Sequence, residues 1–473
     1  MKRLLITASC FWLASCAHDG DRTPLPQVPV AAAFREPVRS AAVQPQAQPL
    51  HPEDWWKRFQ DPELDALQSQ LLANSADLAS AFARYQQAQA ATDTARAAQS
   101  PTIDTQLNVQ RNRQSANRPL RGSDSPDEYD SGTLGLNLSY ELDLWGRVRQ
   151  LVAAGKAAEQ AAQAELAAAQ LNLQVRLADT LFALRGADQE VALLRDTEAA
   201  YRRAVKMIQE RHGAGIASGL DLARAESQLE STRALIPQVL AQRAIYEHAI
   251  AALVGTSAST FTIEPVLVAG VRPAIPDGLP SALLQRRPDI VAAQRRVTAA
   301  NASVGVARTA FYPSVTLSTV GGYQSSELGR VVSAPNIFWS IGPGMLVNLL
   351  DGGRRKSEVA RAQAILDETG QNYRGVVLTA FQEVEDQLAL LGHYADAAAA
   401  DDLAVNASQR ALDLASHRYG EGAVSFLDVT VAQTESLQNR RTALDLATRQ
   451  RRAAVQLIKA LGGGWSADQL AVQ

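Results

Sequence analysis

The feature that most limits what this chain can become is an internal duplication. Asp77, Arg84, Arg96 and Pro101 reappear as Asp289, Arg296, Arg308 and Pro313, each 212 positions further on. Gly146 and Arg147 reappear as Gly353 and Arg354, 207 positions on. The same shift carries Arg211, Gly213, Gly215, Leu220 and Asp221 onto Arg418, Gly420, Gly422, Leu427 and Asp428. The five-residue change of offset falls near residues 118–130, where the first copy has the longer loop; surface loops absorb such insertions. Self-similarity at a fixed offset marks repeated supersecondary units that pack on one another. The chain therefore divides into a leader at 1–15, a tether at 16–60, a first repeat at 61–270 and a second at 271–473.

Proline-free stretches set the helices. Arg147 to His212 is rich in Ala, Leu, Gln, Glu and Arg, all good helix formers. Its apolar residues, among them Leu173, Leu177, Leu181, Leu184 and Val191, fall at coiled-coil-like three–four spacing. At 1.5 Å per residue such a helix reaches about 100 Å. Arg354 to Tyr419 predicts a second of the same length, and Asp61 to Gln99 and Leu220 to Gly255 predict shorter ones. Alanine supplies much of the 46% apolar share and aromatics only 5%, which suits closely packed helices.

Between the helices the periodicity changes to two. Leu134, Leu136, Leu138, Tyr140, Leu142 and Leu144 alternate with Gly135, Asn137, Ser139, Glu141 and Asp143. Ile103, Thr105, Leu107 and Val109 likewise oppose Asp104, Gln106, Asn108 and Gln110. Weaker runs occur at Pro313 to Tyr323 and Asn336 to Leu350. A strand puts alternate residues on opposite faces. A half-buried soluble sheet gives the same alternation, but lengths of about 10–14 residues also match tilted membrane strands. Four strands cannot close a barrel, and lipid tolerates no open sheet edge. Membrane strands in this number imply a barrel shared between subunits. Each repeat then reads as helix, strand, loop, strand, long helix, glycine-containing turn and returning helix.

The N-terminus reads as a sorting signal. Lys2 and Arg3 precede the short apolar stretch Leu4 to Leu13, which is too short to span a bilayer as a helix. Leu13-Ala14-Ser15-Cys16 resembles a bacterial lipobox, with Cys16 the acylated residue; Thr7-Ala8-Ser9-Cys10 is a poorer match without the leucine. Ala17 rather than aspartate resembles the pattern of lipoproteins sent to the outer membrane. Several acyl chains, at about 0.8 kcal/mol per buried CH2, anchor a protein stably in outer-membrane lipid. Residues 17–52 are rich in Pro, Ala and Gln and read as an extended tether.

Other chemistries find little support. The only cysteines are Cys10 and Cys16, and no two of the six histidines stand at ligand spacing on a helix, so neither a metal nor a cofactor is expected. There is no nucleophile elbow or phosphate-binding glycine loop. A net charge of −3 without a basic block gives no footprint for nucleic acid.

Several short motifs make the chain resemble the TolC-like outer-membrane factors, in their lipid-anchored branch. The resemblance is carried by Trp55-Trp56 with Phe59, Asp61, Pro62 and Leu64, by Tyr140-Glu141-Leu142-Asp143-Leu144-Trp145-Gly146-Arg147, and by Asp351-Gly352-Gly353-Arg354-Arg355. Arg286-Arg287-Pro288-Asp289-Ile290, Ala310-Phe311-Tyr312-Pro313-Ser314, Arg418-Tyr419-Gly420-Glu421-Gly422 and Ala460-Leu461-Gly462-Gly463-Gly464-Trp465 complete it over about residues 50–465. It implies mixed α and membrane-β architecture. A homotrimer would close a 12-stranded β-barrel, four strands per chain, continuous with a long α-helical periplasmic barrel. It also implies an exit duct in a tripartite, RND-type efflux system, partnered by a periplasmic adaptor protein and an inner-membrane transporter. The duct of a type I protein secretion system is an alternative. A periplasmic adaptor lipoprotein is a weaker one, since it would need a lipoyl-like domain around a single hairpin.

By position, the resemblance places a periplasmic gate at Tyr419, Leu427 and Asp428, with Arg418, Arg211 and Asp221 nearby as ionic partners. Many relatives carry an acid at the place of Val431, and some an arginine at that of Gly420, so an ionic lock here would be weaker or would rest on Asp428. Independently of the resemblance, Asp221 and Asp428 stand where acids cap returning helices. His212 and His417 flank the turns, where a change of charge with pH would be felt. The lipobox reading predicts that Cys16→Ser abolishes metabolic labelling by a fatty acid; undiminished labelling would exclude Cys16 as the anchor.

Overall fold

The computed structural model describes residues 33–36, 43–44, 51, 54–115, 117–119, 122, 124–267, 275–276 and 285–470. The leader, Cys16 and the tether up to residue 32 lie outside them. In chain order the elements are β1 (Val43–Gln44), a 3-10 turn at Trp55–Phe59, α1 (Pro62–Asn74), α2 (Ala76–Ala97), β2 (Thr102–Arg113), β3 (Glu128–Glu141), α3 (Arg147–Gly213), α4 (Gly219–Leu253), β4 (Ile275–Pro276), α5 (Pro288–Thr309), β5 (Ser314–Ser325), β6 (Ile337–Leu346), α6 (Arg354–Gly420) and α7 (Phe426–Ala460). Both long helices run 67 residues and both returning helices 35, so the two copies match over these elements.

One expected helix is two. The run read as continuous from Asp61 to Gln99 breaks at Ser75, whose backbone is extended (φ −65°, ψ 119°). Asp61 caps α1 by accepting the N–H groups of Glu63 and Leu64 at 3.0 and 3.2 Å. The Ser75 hydroxyl accepts from Leu78 N–H at 3.4 Å and starts α2. Serine does this readily because its side chain competes for backbone groups.

Compact packing cuts across the repeats, and each of two units draws on both copies. The first holds residues 85–162 and 293–373. It contains an antiparallel sheet in the order β2-β3-β5-β6, so the two copies meet where β3 pairs with β5. The register carries one face across the sheet, Leu107 opposite Leu134, Leu134 opposite Tyr323, and Tyr323 opposite Ile337. On that face Ile103, Leu107, Trp339 and Ile341 are 67%, 73%, 75% and 61% exposed. The other face carries Asp104, Gln106, Asn137, Ser139, Ser318 and Ser340. Among the described residues β2 and β6 each pair on one side only.

Carboxylates fix the steps from strand to long helix. Arg147 grips Glu141 with two N–H groups at 2.7 and 2.5 Å. Asp143 accepts the N–H groups of Val148 and Arg149 at 3.0 and 2.9 Å, capping α3. Asp351 caps α6 in the same manner, accepting Gly353 N–H at 3.0 Å and Arg355 N–H at 3.2 Å. Trp145 stacks on Tyr312 with centroids 5.1 Å apart and donates to the Pro313 carbonyl at 2.7 Å.

The second unit holds residues 28–84, 163–292 and 374–473. Its main core gathers Trp55, Trp56 and Phe59 with Leu177, Leu181 and Phe182 of α3, Val384 and Leu388 of α6, and Val455 and Ile458 of α7. Trp55 is fully buried, meets Trp56 and Phe59 edge-on, and donates its Nε1–H to Gln174 at 3.2 Å. Arg287 is buried beside Asp289 and Glu383, both at 2.6 Å. Burial opposes its charge, but the two carboxylates more than offset that and hold the guanidinium above its ordinary pKa. Truncating the largest ring of this core, Trp55→Ala, is expected to cost about 3–5 kcal/mol. The helical circular dichroism of the solubilised protein should melt at lower temperature, and an unshifted melt would exclude a core role for the tryptophan.

Candidate functional site at the helical turns

The two turns that reverse the chain are built alike. At the end of α3, Ile216 N–H bonds the Arg211 carbonyl at 2.8 Å and Gly215 N–H the His212 carbonyl at 2.9 Å. At the end of α6, Ala423 N–H bonds the Arg418 carbonyl at 2.8 Å and Gly422 N–H the Tyr419 carbonyl at 3.1 Å. This paired pattern closes a helix around a left-handed residue. Gly215 and Gly422 hold that place at φ 76° and 78°, where a side chain would be strained.

Each turn then starts the next helix with a Ser-x-x-Asp box. The Asp221 carboxylate accepts the Ser218 hydroxyl at 2.7 Å, while Asp221 N–H donates back to Ser218 Oγ at 3.1 Å. The Asp428 carboxylate accepts the Ser425 hydroxyl at 2.7 Å and its N–H at 3.0 Å. The Ser425 hydroxyl and N–H, helped by the charge of Arg418, hold Asp428 below the usual carboxylate pKa. Motif reading of the sequence passes over the two serines, although their three-residue spacing to Asp221 and Asp428 is a usable signal.

Of the expected site residues, the structure brings Arg211 against Tyr419, and the partners differ from those expected. Arg211 does not pair with a carboxylate. It donates to the carbonyls of Tyr419 at 3.4 Å and Gly420 at 3.1 Å, and its guanidinium lies 5.1 Å from the Tyr419 ring centre. A cation there meets the negative end of α6 and the face of an aromatic ring together. Among the described residues no Arg–Asp ion pair forms at the turns, so Asp221 and Asp428 act here as caps. Tyr419 packs 5.4 Å from Phe426, which is buried with Val429, Tyr201, Val205 and Ile208. Leu427 and Val431 are both exposed. His212 faces the Ala217 carbonyl through Nδ1 at 2.8 Å, and His417 lies 3.5 Å from Glu421. No group of metal-ligand type is assembled among the described residues.

A sheet with one lipophilic face and unpaired edges, joined to paired 67-residue helices, defines an outer-membrane channel of the TolC-like, trimeric architecture. The chain belongs to the outer membrane efflux protein family, whose sequence profile matches residues 67–256 and 279–463. It is 31% identical over 479 residues to the pyoverdine export outer membrane protein OpmQ of Pseudomonas aeruginosa, covering 99% of this chain and 98% of that protein. It is 27% identical to the probable outer membrane lipoprotein SilC of Salmonella typhimurium, covering 98% and 99%. Its fold superposes on the solved outer-membrane channel OprN with a TM-score of 0.87 at 29% identity, covering 93% of this chain and 99% of that one. The protein is an outer-membrane component of an efflux system.

A depressed folded-state pKa leaves the Asp428 cap intact above the ordinary carboxylate range, and weakens it only as pH falls through the lowered value. Hydrogen exchange at the Ser425 amide, corrected for its intrinsic rate, should therefore be flat from about pH 8 to 5 and faster throughout in Asp428→Asn. A step within that range would assign control of the amide to a group other than Asp428.

Proposed function

We propose that three copies of this chain form the passive exit duct of a tripartite efflux system. A periplasmic adaptor and an RND-type inner-membrane transporter load it, and acyl chains on Cys16 anchor it. The observation that carries the reading is the four-stranded sheet whose outer strands lack partners and whose exposed apolar residues share one face. Each unpaired backbone group is costly in lipid, and four strands cannot curl closed. Three chains supply twelve strands. The polar face then lines a wet interior, suited to drugs and other small solutes, with no turnover required.

By the family resemblance, the two turns form the periplasmic entrance. In this reading Tyr419, Leu427 and Asp428 line the aperture. Arg418 steadies Asp428 through its charge. Arg211 ties the second turn to the first, through carbonyl groups rather than through an ionic lock. Asp221 keeps the first turn in register. The purified protein is expected to run as a trimer, to co-purify its adaptor and to conduct in planar bilayers. Arg211→Ala and Asp428→Ala should each raise the resting conductance several-fold. If both leave conductance unchanged, the turns are capped ends and the constriction lies elsewhere; a monomer without conductance would end the duct reading.

A further inference from the structure

A short piece of the N-terminal segment is held on the second long helix. The N–H groups of Arg35 and Glu36 donate to the two carboxylate oxygens of Glu385, at 2.8 and 3.0 Å. Phe34, half-buried, packs against the main core of the second unit. Further along, β1 pairs in parallel with β4, Val43 opposite Ile275 and Gln44 opposite Pro276. Successive amides converging on one anion make a recognised binding concavity, and hydrogen bonds to an ionised acceptor are the stronger kind. Here the anion is fixed on a helix and the amides belong to the segment. A Pro-, Ala- and Gln-rich stretch has too little apolar surface to order itself. Among the described residues Phe34, this carboxylate-bound amide pair and the β1–β4 pairing are the contacts that hold it.

We propose that Glu385 is the docking residue of an N-terminal strap, seated by Phe34, that shortens the leash between the membrane anchor and the helical unit. The leash length rests on the proposed acylation of Cys16; the docking does not. Phe34 stands eighteen positions after Cys16, and Val43, where β1 pairs with β4, stands twenty-seven positions after it. Fully extended, these spans reach at most about 65 Å and about 97 Å. Docking at Glu385 therefore shortens by about a third the distance over which the lipid-bearing end can range.

Hydrogen exchange of the full-length protein in detergent micelles tests this at the two amides themselves. In the wild type the amides of Arg35 and Glu36 are expected to exchange at least about tenfold slower than in an unstructured chain. Glu385→Ala, at a half-buried helix position where alanine is a good helix former, should bring both to the unstructured rate while the flanking amides of α6 stay protected. Phe34→Ala, which leaves α6 untouched, should accelerate the same two amides and decides the matter if Glu385→Ala loosens the helix itself. Free exchange in the wild type, or unchanged exchange in both variants, overturns the strap. In Cys16→Ser the two amides should remain slow. That result together with persistent acyl labelling would refute the anchor while leaving the docking in place.

Discussion

The structure depends on what the backbone of β2 and β6 must do in lipid. A bilayer interior offers no water to unpaired N–H and C=O groups, so a sheet there either closes or does not stay there. This chain contributes four strands and two open edges, and its apolar face leaves no buried side on which to hide them. Subunit association is thus a condition of the membrane-inserted state rather than an addition to it. The duplication serves the same end. Because β3 of one copy pairs with β5 of the other, a chain arrives as one continuous sheet, with only its outermost strands left to find partners.

The strands alone would not orient the long helices that grow from them. Glu141, Asp143 and Asp351 do so locally, each taking backbone N–H groups or a guanidinium at the start of a long helix. Free N–H groups gather at a helix start and favour negative charge there. Neither long helix has an acid in its own first turn. The capping carboxylates therefore come from the residues just before, where they also fix the angle at which strand becomes helix. That explains why the strand-to-helix segments are the most readable motifs in the sequence: few residues satisfy strand, cap and turn together.

Much of the architecture is legible because it is periodic. Alternation gives the strands within a few residues, and proline-free three–four spacing gives both long helices almost to their ends. What escapes is aperiodic. Ser75 breaks a helix with no glycine or proline to announce it, because its extended backbone and hydroxyl bond are set by packing around it. The residues of the two turns can be placed from the sequence, yet the partner of Arg211 cannot. A guanidinium near two aspartates suggests an ion pair, whereas the aspartates are already engaged by Ser218 and Ser425. The strap is invisible for a related reason. Its partner Glu385 lies some 350 residues away, and nothing in the local composition points to it.

The two turns share a motif and differ in their contacts, and that difference has a physical origin. At equivalent positions the first copy carries His212 and the second Tyr419. His212 turns inward to its own Ala217 carbonyl, whereas Tyr419 offers a ring face to the arginine of the other copy. Arg211 accordingly reaches across, while Asp428 stays with Ser425 of its own turn. A chain with two identical copies would tie its turns reciprocally. This one ties the second turn to the first, so loosening the Arg211 contact would free the α6–α7 turn while the caps of both turns stay closed. Duplicated backbones with diverged side chains thus allow one hairpin to serve as a fixed post and the other as the element held against it.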